Sequence, residues 1–308
     1  MKNIFKKIII ASSLLGLVFF YGCSEDDVLP IDVVVPNIDI SLSATTSDGT
    51  TLVDGGNVSA ADSFSIVISI TAEAGFNTLN TSGDVASSTI NRNDLDIASG
   101  TTNAEVTLTV STSNSLGDGS IDFEAVDEEG NTANASFSFV VVSPAAKIQT
   151  AVMLYAPLGD SSSQTFYSIA NNQTYSLGDV ISTSDPVSAS IDFGYYYGSS
   201  DNAALASPAE YTIYDLSAWE SQNATTLAVT TITSAEYLEM VSVSDIETAL
   251  AGVDVTDANG TITNLSANDI LMFKTVDNVQ GLIHVSTITG TDGSDGMIEL
   301  EMKLAASE

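Results

Sequence analysis

The chain holds one histidine, His284, and one cysteine, Cys23, among its 308 residues. A histidine-rich metal cluster cannot be built from one ring. A Ser-His-Asp relay would have to run through His284, and no G-x-S-x-G elbow is present to expose its serine. In "LIHVS", His284 alternates with Ile283 and Val285, which is the place of a strand-surface side chain. Forty acidic residues supply carboxylate pairs of the kind glycoside hydrolysis needs, but no spacing singles one pair out. The stretch Asp254–Asp269 has the look of a calcium loop. Setting Gly260 at the invariant glycine puts Val255 and Ser266 where carboxylates belong, so it reads as a hairpin turn. "TDGSDG" (Thr291–Gly296) misses the same pattern, and Asp127, Glu128 and Glu129 read as solvated loop charges. No catalytic residue, metal ligand or cofactor is assigned, and the chain reads as a non-enzyme.

Aromatic rings are the stronger lead. In Ala189–Tyr197, strand alternation sends Ile191, Phe193, Tyr195 and Tyr197 to one face and Tyr196 to the other, beside Asp192 and Ser190. Tyr196, assisted by Tyr211, Tyr214 and Trp219, would make a stacking platform for sugar, whose C–H faces suit aromatic rings. The competing reading buries both faces of this strand, with Tyr196 under the helical stretch Ser234–Ala251.

The elements that must position these residues are mainly β. Period-two segments recur through the first half: Ile38–Ala44, Phe64–Ala72, Val106–Val110, and Ile121–Ala125 facing Phe137–Val141 across the turn Asp127–Asn131. No amphipathic helix interrupts them. Short strands over residues 37–143 predict a β-sandwich. "SPAAK" (Ser143–Lys147) reads as a linker. Residues 147–308 predict a β-rich, α+β unit with strands at Ala151–Pro157 and Ala189–Gly198 and three at the end. Asp277 and Asn278 fall in the first of its two closing turns, and Gly290–Gly296 form the second. The one helical region is Ser234–Ala251, capped by Ser234, with Tyr237, Leu238 and Val241 on one face and a break near Ser242–Ser244.

The N-terminal residues bear on location. Lys2, Lys6 and Lys7 precede the uncharged run Ile8–Tyr21, which is shorter than the roughly 20 residues of a spanning helix and suits a secretory signal over residues 1–22. Gly22-Cys23 resembles the lipobox of bacterial lipoproteins, in which the cysteine is acylated and becomes the N-terminus. Ser24-Glu25-Asp26-Asp27 resembles the surface-export signal of Bacteroidota-type lipoproteins. The resemblance implies anchoring in outer-membrane lipid through Cys23, facing the medium, with 23–36 as an acidic tether. "FEAVDEEGNTANASFSFVVV" (Phe123–Val142) resembles the last hairpin of bacterial immunoglobulin-like domains. "D-x-x-Y-x-Y-G" (Asp192–Gly198), "ALASP" (Ala204–Pro208) and "F-K-T-x-D-x-x-x-G-L-I-x-V" (Phe273–Val285) resemble an uncharacterised C-terminal module of Bacteroidota surface lipoproteins, which brings no catalytic residues with it.

Charge narrows the partners. Seven Lys and Arg stand against 40 Asp and Glu, a net charge of −33. Such an excess repels phosphate backbones and excludes nucleic acid as a partner. With a single cysteine, no disulfide forms within the chain. The expectation is a non-catalytic binding protein of the cell surface. Its resemblance to accessory lipoproteins of polysaccharide-utilisation systems implies extracellular polysaccharide or a surface receptor complex as partner. The alternatives are an adhesion or envelope-structural protein with the sandwich as spacer, and a glycoside hydrolase.

Overall fold

The computed structural model describes residues 37–181, 187–256 and 258–307. The leader, Cys23 and the expected export signal Ser24, Glu25, Asp26 and Asp27 lie outside the described residues. The structure is mainly β, as the alternation predicts.

In the first half, β1 (Ile38–Thr46), β2 (Thr51–Leu52), β4 (Ser63–Ala72) and β7 (Asn103–Ser111) form one sheet in the order β2-β1-β4-β7. A second sheet has the order β3-β9-β8-β5-β6, built from β3 (Gly56–Ser59), β5 (Phe76–Gly83), β6 (Ser88–Asn91), β8 (Gly117–Asp127) and β9 (Thr132–Val142). Phe64, Ile66, Ile68 and Ile70 of β4 point one way and pack against Ile121, Phe123, Phe137 and Phe139 of the other sheet. Phe64 lies 5.1 Å from Phe139 and 6.1 Å from Phe137, ring centre to ring centre. This is a β-sandwich: each sheet has one apolar face, and the two faces cover each other. β5, β6 and the short β2 and β3 carry little alternation and are additions to the expected set.

The turn between β8 and β9 is held by Asp127. Its Oδ1 accepts the backbone N–H groups of Glu129 (3.0 Å) and Asn131 (2.8 Å), and its Oδ2 accepts from Asn131 Nδ2 (2.7 Å). Burial alone pushes this carboxyl up, but the hydrogen bonds outweigh it and hold it below its ordinary value. Gly130 takes the positive φ of 88°. Glu128 pairs with Arg92 at 3.3 Å and accepts from Ser99 Oγ and Gly100 N–H. The expectation that these acids are solvated is corrected for Asp127, which is buried in the turn, and holds for Glu128 and Glu129, which are exposed. Asp127→Ala strips the turn of its acceptor and should lower stability by about 2–3 kcal/mol in a denaturant melt. Asp127→Asn keeps one acceptor oxygen and should cost less.

The chain enters and leaves this sandwich at opposite ends. Asn37 hydrogen-bonds Glu73 beside the Ala72–Gly75 turn, and Glu128 N–H reaches Gly75 O at that same end. Val142, the last residue of β9, accepts from Ala60 N–H at the other end, near where Ser63 pairs with Ser111. The nine residues of β1 run between the two ends, a span of roughly 30 Å at about 3.3 Å per residue.

In the second half, β10 (Ala146–Tyr155), β15 (Thr226–Val229), β17 (Ile270–Lys274), β18 (Gln280–Thr289) and β19 (Met297–Ser307) form a sheet in the order β10-β19-β18-β17-β15. A facing sheet has the order β12-β11-β13-β14-β16, from β11 (Gln164–Ser168), β12 (Gln173–Ser176), β13 (Phe193–Gly198), β14 (Asn202–Ala206) and β16 (Thr261–Ile262). Tyr167, Phe193, Tyr195 and Leu205 meet Leu154, Phe273, Ile283 and Leu300 between them. The outer face of the first sheet is covered by α2 (Ser234–Glu239) and α3 (Val243–Ala251), where Tyr237 and Ile246 pack on Ala228, Met272 and Leu282. The short α1 (Leu177–Val180) lies against the other sheet. Strands covered on both faces need apolar residues at consecutive positions, hence the run Ile270–Phe273.

The helical stretch breaks at Met240–Ser242, next to the expected place. Two capping boxes set it: Thr233 with Glu236, then Ser242 with Asp245. Thr233, not Ser234, is the cap. Only Tyr237 of the expected apolar face is buried; Leu238 is exposed within the first helix, and Val241 is exposed beyond its end. Lys303 Nζ donates to the carbonyls of Tyr237 (2.7 Å) and Met240 (2.8 Å), closing the helix C-terminus from below. The linker is part of this region: Pro144 O accepts Val243 N–H, and Ser143 Oγ accepts Ser244 N–H. The first turn of α3 thus takes its partners from the segment joining the two halves.

Candidate functional site

Tyr196, Tyr211, Tyr214 and Trp219 do converge. β13 turns Phe193 and Tyr195 into the core between the sheets and Tyr196 to the opposite side. Ile191 does not share the Phe193 face as alternation predicts, since it precedes the strand, behind the short 3-10 turn Ser188–Ser190. It packs instead with Tyr196. The irregular segment 207–225 lies over this outer face. Its Tyr211 ring meets Tyr196 edge-on at 5.8 Å and Phe166 at 5.0 Å, and Trp219 sits edge-on to Phe166 at 4.9 Å. Gly194 makes this possible, because a Cβ there would come within 2.7 Å of the Phe166 ring and 2.9 Å of Tyr211.

The rings form a plug and not a platform. Tyr196, Tyr211 and Trp219 are 6%, 5% and 7% exposed, and Tyr214 is partly buried. Tyr211 donates to Tyr195 O at 3.0 Å, and Tyr214 Oη lies 2.7 Å from both Leu158 N and Leu158 O. Burial pushes the hydroxyls of Tyr196, Tyr211 and Tyr214 up. Asn223 Nδ2 pins the segment to Ala189 O and Ile191 O. The cover over Tyr196 is thus the 207–225 segment and not the Ser234–Ala251 helices. Phe166, the ring at the centre, was not among the expected residues. The mixed apolar run of a buried strand around it, "TFYSI", was its only signal.

His284 lies on β18 beneath α2, 5.3 Å from the Tyr237 ring, with Glu301 as its cross-strand partner. Ser234 Oγ is 3.5 Å from His284 Nε2 and 3.2 Å from Asn268 O. That exceeds the roughly 2.6–3.2 Å of a nucleophile and its base. Burial holds the imidazole below its ordinary value, opposed by Glu301 and reinforced by Lys303. In the 254–269 stretch, Asp254 accepts from Thr256 and Asp269 from Ser266 N–H, as turn residues do.

No family model and no curated protein matches the chain. Among solved structures, it is similar to a DUF4466 family protein from Parabacteroides merdae, with a TM-score of 0.38 and 9% identity over 86% of this chain and 98% of that one.

Asp192 is a buried carboxyl whose hold on its proton is strengthened. It is 6% exposed, and its Oδ2 accepts Ile169 N–H at 2.7 Å. Burial pushes it up to about 6; the Ile169 N–H opposes this, and Asp277 adds to it. Around the same loop, Gln149 Nε2 donates to Ile169 O at 2.7 Å, and the Tyr167 hydroxyl lies 3.0 Å from Gln149 Oε1 and 2.6 Å from Asn172 Oδ1. A shifted carboxyl can mark an acid catalyst. Here it is shut from solvent and tied to a backbone amide, so it braces the loop after β11.

Proposed function

We propose that this chain is a non-catalytic, lipid-anchored protein of the outer cell surface, in which the sandwich is a spacer and the second half is the displayed unit. The observation that carries this reading is the placement of the sandwich's two ends. A module entered at one end and left at the other, roughly 30 Å away, lengthens a tether; one entered and left at the same end does not. The Cys23 lipobox and the acids after it supply the anchor and the direction of export. Burial of Tyr196, Tyr211 and Trp219 removes the ring platform on which glycan stacking would have rested and favours the adhesive or envelope-structural role for the body of the protein.

The test is Cys23→Ser in the native cell. The wild-type protein should fractionate with the outer membrane, carry acyl chains on Cys23 by mass spectrometry, and be shaved by protease added to intact cells. The variant should leave the membrane fraction. A bare Cys23 thiol in the mature protein, or resistance to protease on intact cells, would refute the surface anchor.

A further inference from the structure

We infer that the groove between β10 and β12 binds a neutral carbohydrate. β10 is the edge of one sheet of the second unit and β12 the edge of the other, and the groove of about 380 Å³ runs between them. That is within the range of roughly 300–1,000 Å³ for small-molecule sites. Its walls carry Tyr155, Thr150, Gln164, Asn172, Gln173 and Thr174, and not one of its lining residues is charged. The groove itself therefore carries no charge, although the chain around it has a net charge of −33. It offers nothing to a metal ion or a cationic peptide, and the surrounding field repels anionic ligands.

The side chains present match a sugar. Amides and hydroxyls both donate and accept, as a row of sugar hydroxyls requires. Tyr155 is 37% exposed and Met153 beside it 44%, so one wall presents an aromatic and thioether surface to the C–H face of a pyranose. Part of the polar wall is fixed in advance: Asn172 stands at φ 48°, its Oδ1 2.6 Å from the Tyr167 hydroxyl, which the buried Gln149 also holds. Such pre-organisation lowers the ordering cost of binding.

An extended peptide adding to either edge is the competing occupant, and the backbone argues against it. The pairing of β10 slips between Gln149 and Val152, and Ala151 there is left-handed at φ 54°. A bulge of this kind breaks the regular N–H and C=O spacing that an added strand must match. β12 has only four residues.

This inference gives the displayed unit of the proposed function a ligand class. Its test does not depend on the anchor, because binding is measured on the full chain purified in detergent, whatever the state of Cys23. Maltohexaose, cellohexaose and mannohexaose are titrated by calorimetry. At least one should bind, with an affinity little changed between about 0.05 and 0.5 M salt, since no charge pairing is involved. Tyr155→Ala should weaken that binding about tenfold and Gln173→Ala severalfold, measured on protein whose far-UV circular dichroism matches the parent. Absence of binding by all three sugars at about 5 mM would overturn the inference. So would binding that survives both substitutions, or saturable binding of an extended Thr-Val hexapeptide that Tyr155→Ala abolishes.

Discussion

Trp219→Ala should destabilise the protein by about 3–5 kcal/mol, as removal of a large buried aromatic does. The upper part of that range is expected, because the segment it anchors has no regular structure of its own. Residues 207–225 form neither helix nor strand, and they stay on the sheet through the contacts of Tyr211, Leu216 and Trp219 with Phe166 and Tyr196. The indole Nε1 is buried with no hydrogen-bond partner among the described residues, so the whole loss is packing. Trp219→Phe should cost less, about 1–2 kcal/mol, since it keeps a ring against Phe166. Trp219 is the sole tryptophan, so its emission in the parent protein should be blue-shifted and move red when the plug opens. The variants have to be followed by far-UV circular dichroism in a denaturant titration. A Trp219→Ala protein within about 1 kcal/mol of the parent would mean that the ring is not buried. The sugar-stacking role for Tyr196 and Trp219 would then return.

How much of this was legible beforehand depends on which partners each residue has. Where a strand has one wet face, as in Phe64–Ala72, polar and apolar residues alternate and the strand is plain from local sequence. The closing strands of the second half were legible for another reason: the turns at Asp277-Asn278 and Gly290–Gly296 punctuate them, with positive φ at Asn278, Gly290 and Gly293. β5 and β6 were not, because Thr, Asn and Ser alternate there with one another. At the candidate site, alternation correctly put Tyr196 opposite Tyr195, yet could not say what lies over Tyr196. Its cover comes from residues 15 to 23 positions downstream in an irregular segment with no period to read. The same limit hid the groove at Tyr155, whose two walls are the edges of different sheets.

Asp192→Asn should stabilise the protein at neutral pH and do nothing at acid pH. The carboxyl is raised from 3.8 to about 6, chiefly by burial. The folded state therefore holds this proton more tightly than the unfolded state between about pH 4 and 6. The favourable contribution of the protonated acid is complete below about pH 4 and is lost as pH rises through about 6. A shift of about two units corresponds to about 3 kcal/mol between those limits. Asparagine stays neutral throughout. Its carbonyl oxygen can keep the bond from Ile169 N–H, and its amide presents N–H groups toward the field of Asp277 instead of a second negative charge. The chain as a whole should still lose stability on acidification, because hydrogen-bonded acids such as Asp179 and Asp245 are held below their ordinary value. The informative quantity is thus the difference between variant and parent. Denaturant melts at pH 4, 5, 6 and 7.5 should show that difference climbing from near zero to about 2–3 kcal/mol in favour of the asparagine variant. A difference that stays flat across this range would show that the carboxylate is already hydrated in the fold. A variant weaker than the parent at pH 7.5 would show that the charge itself holds the loop after β11.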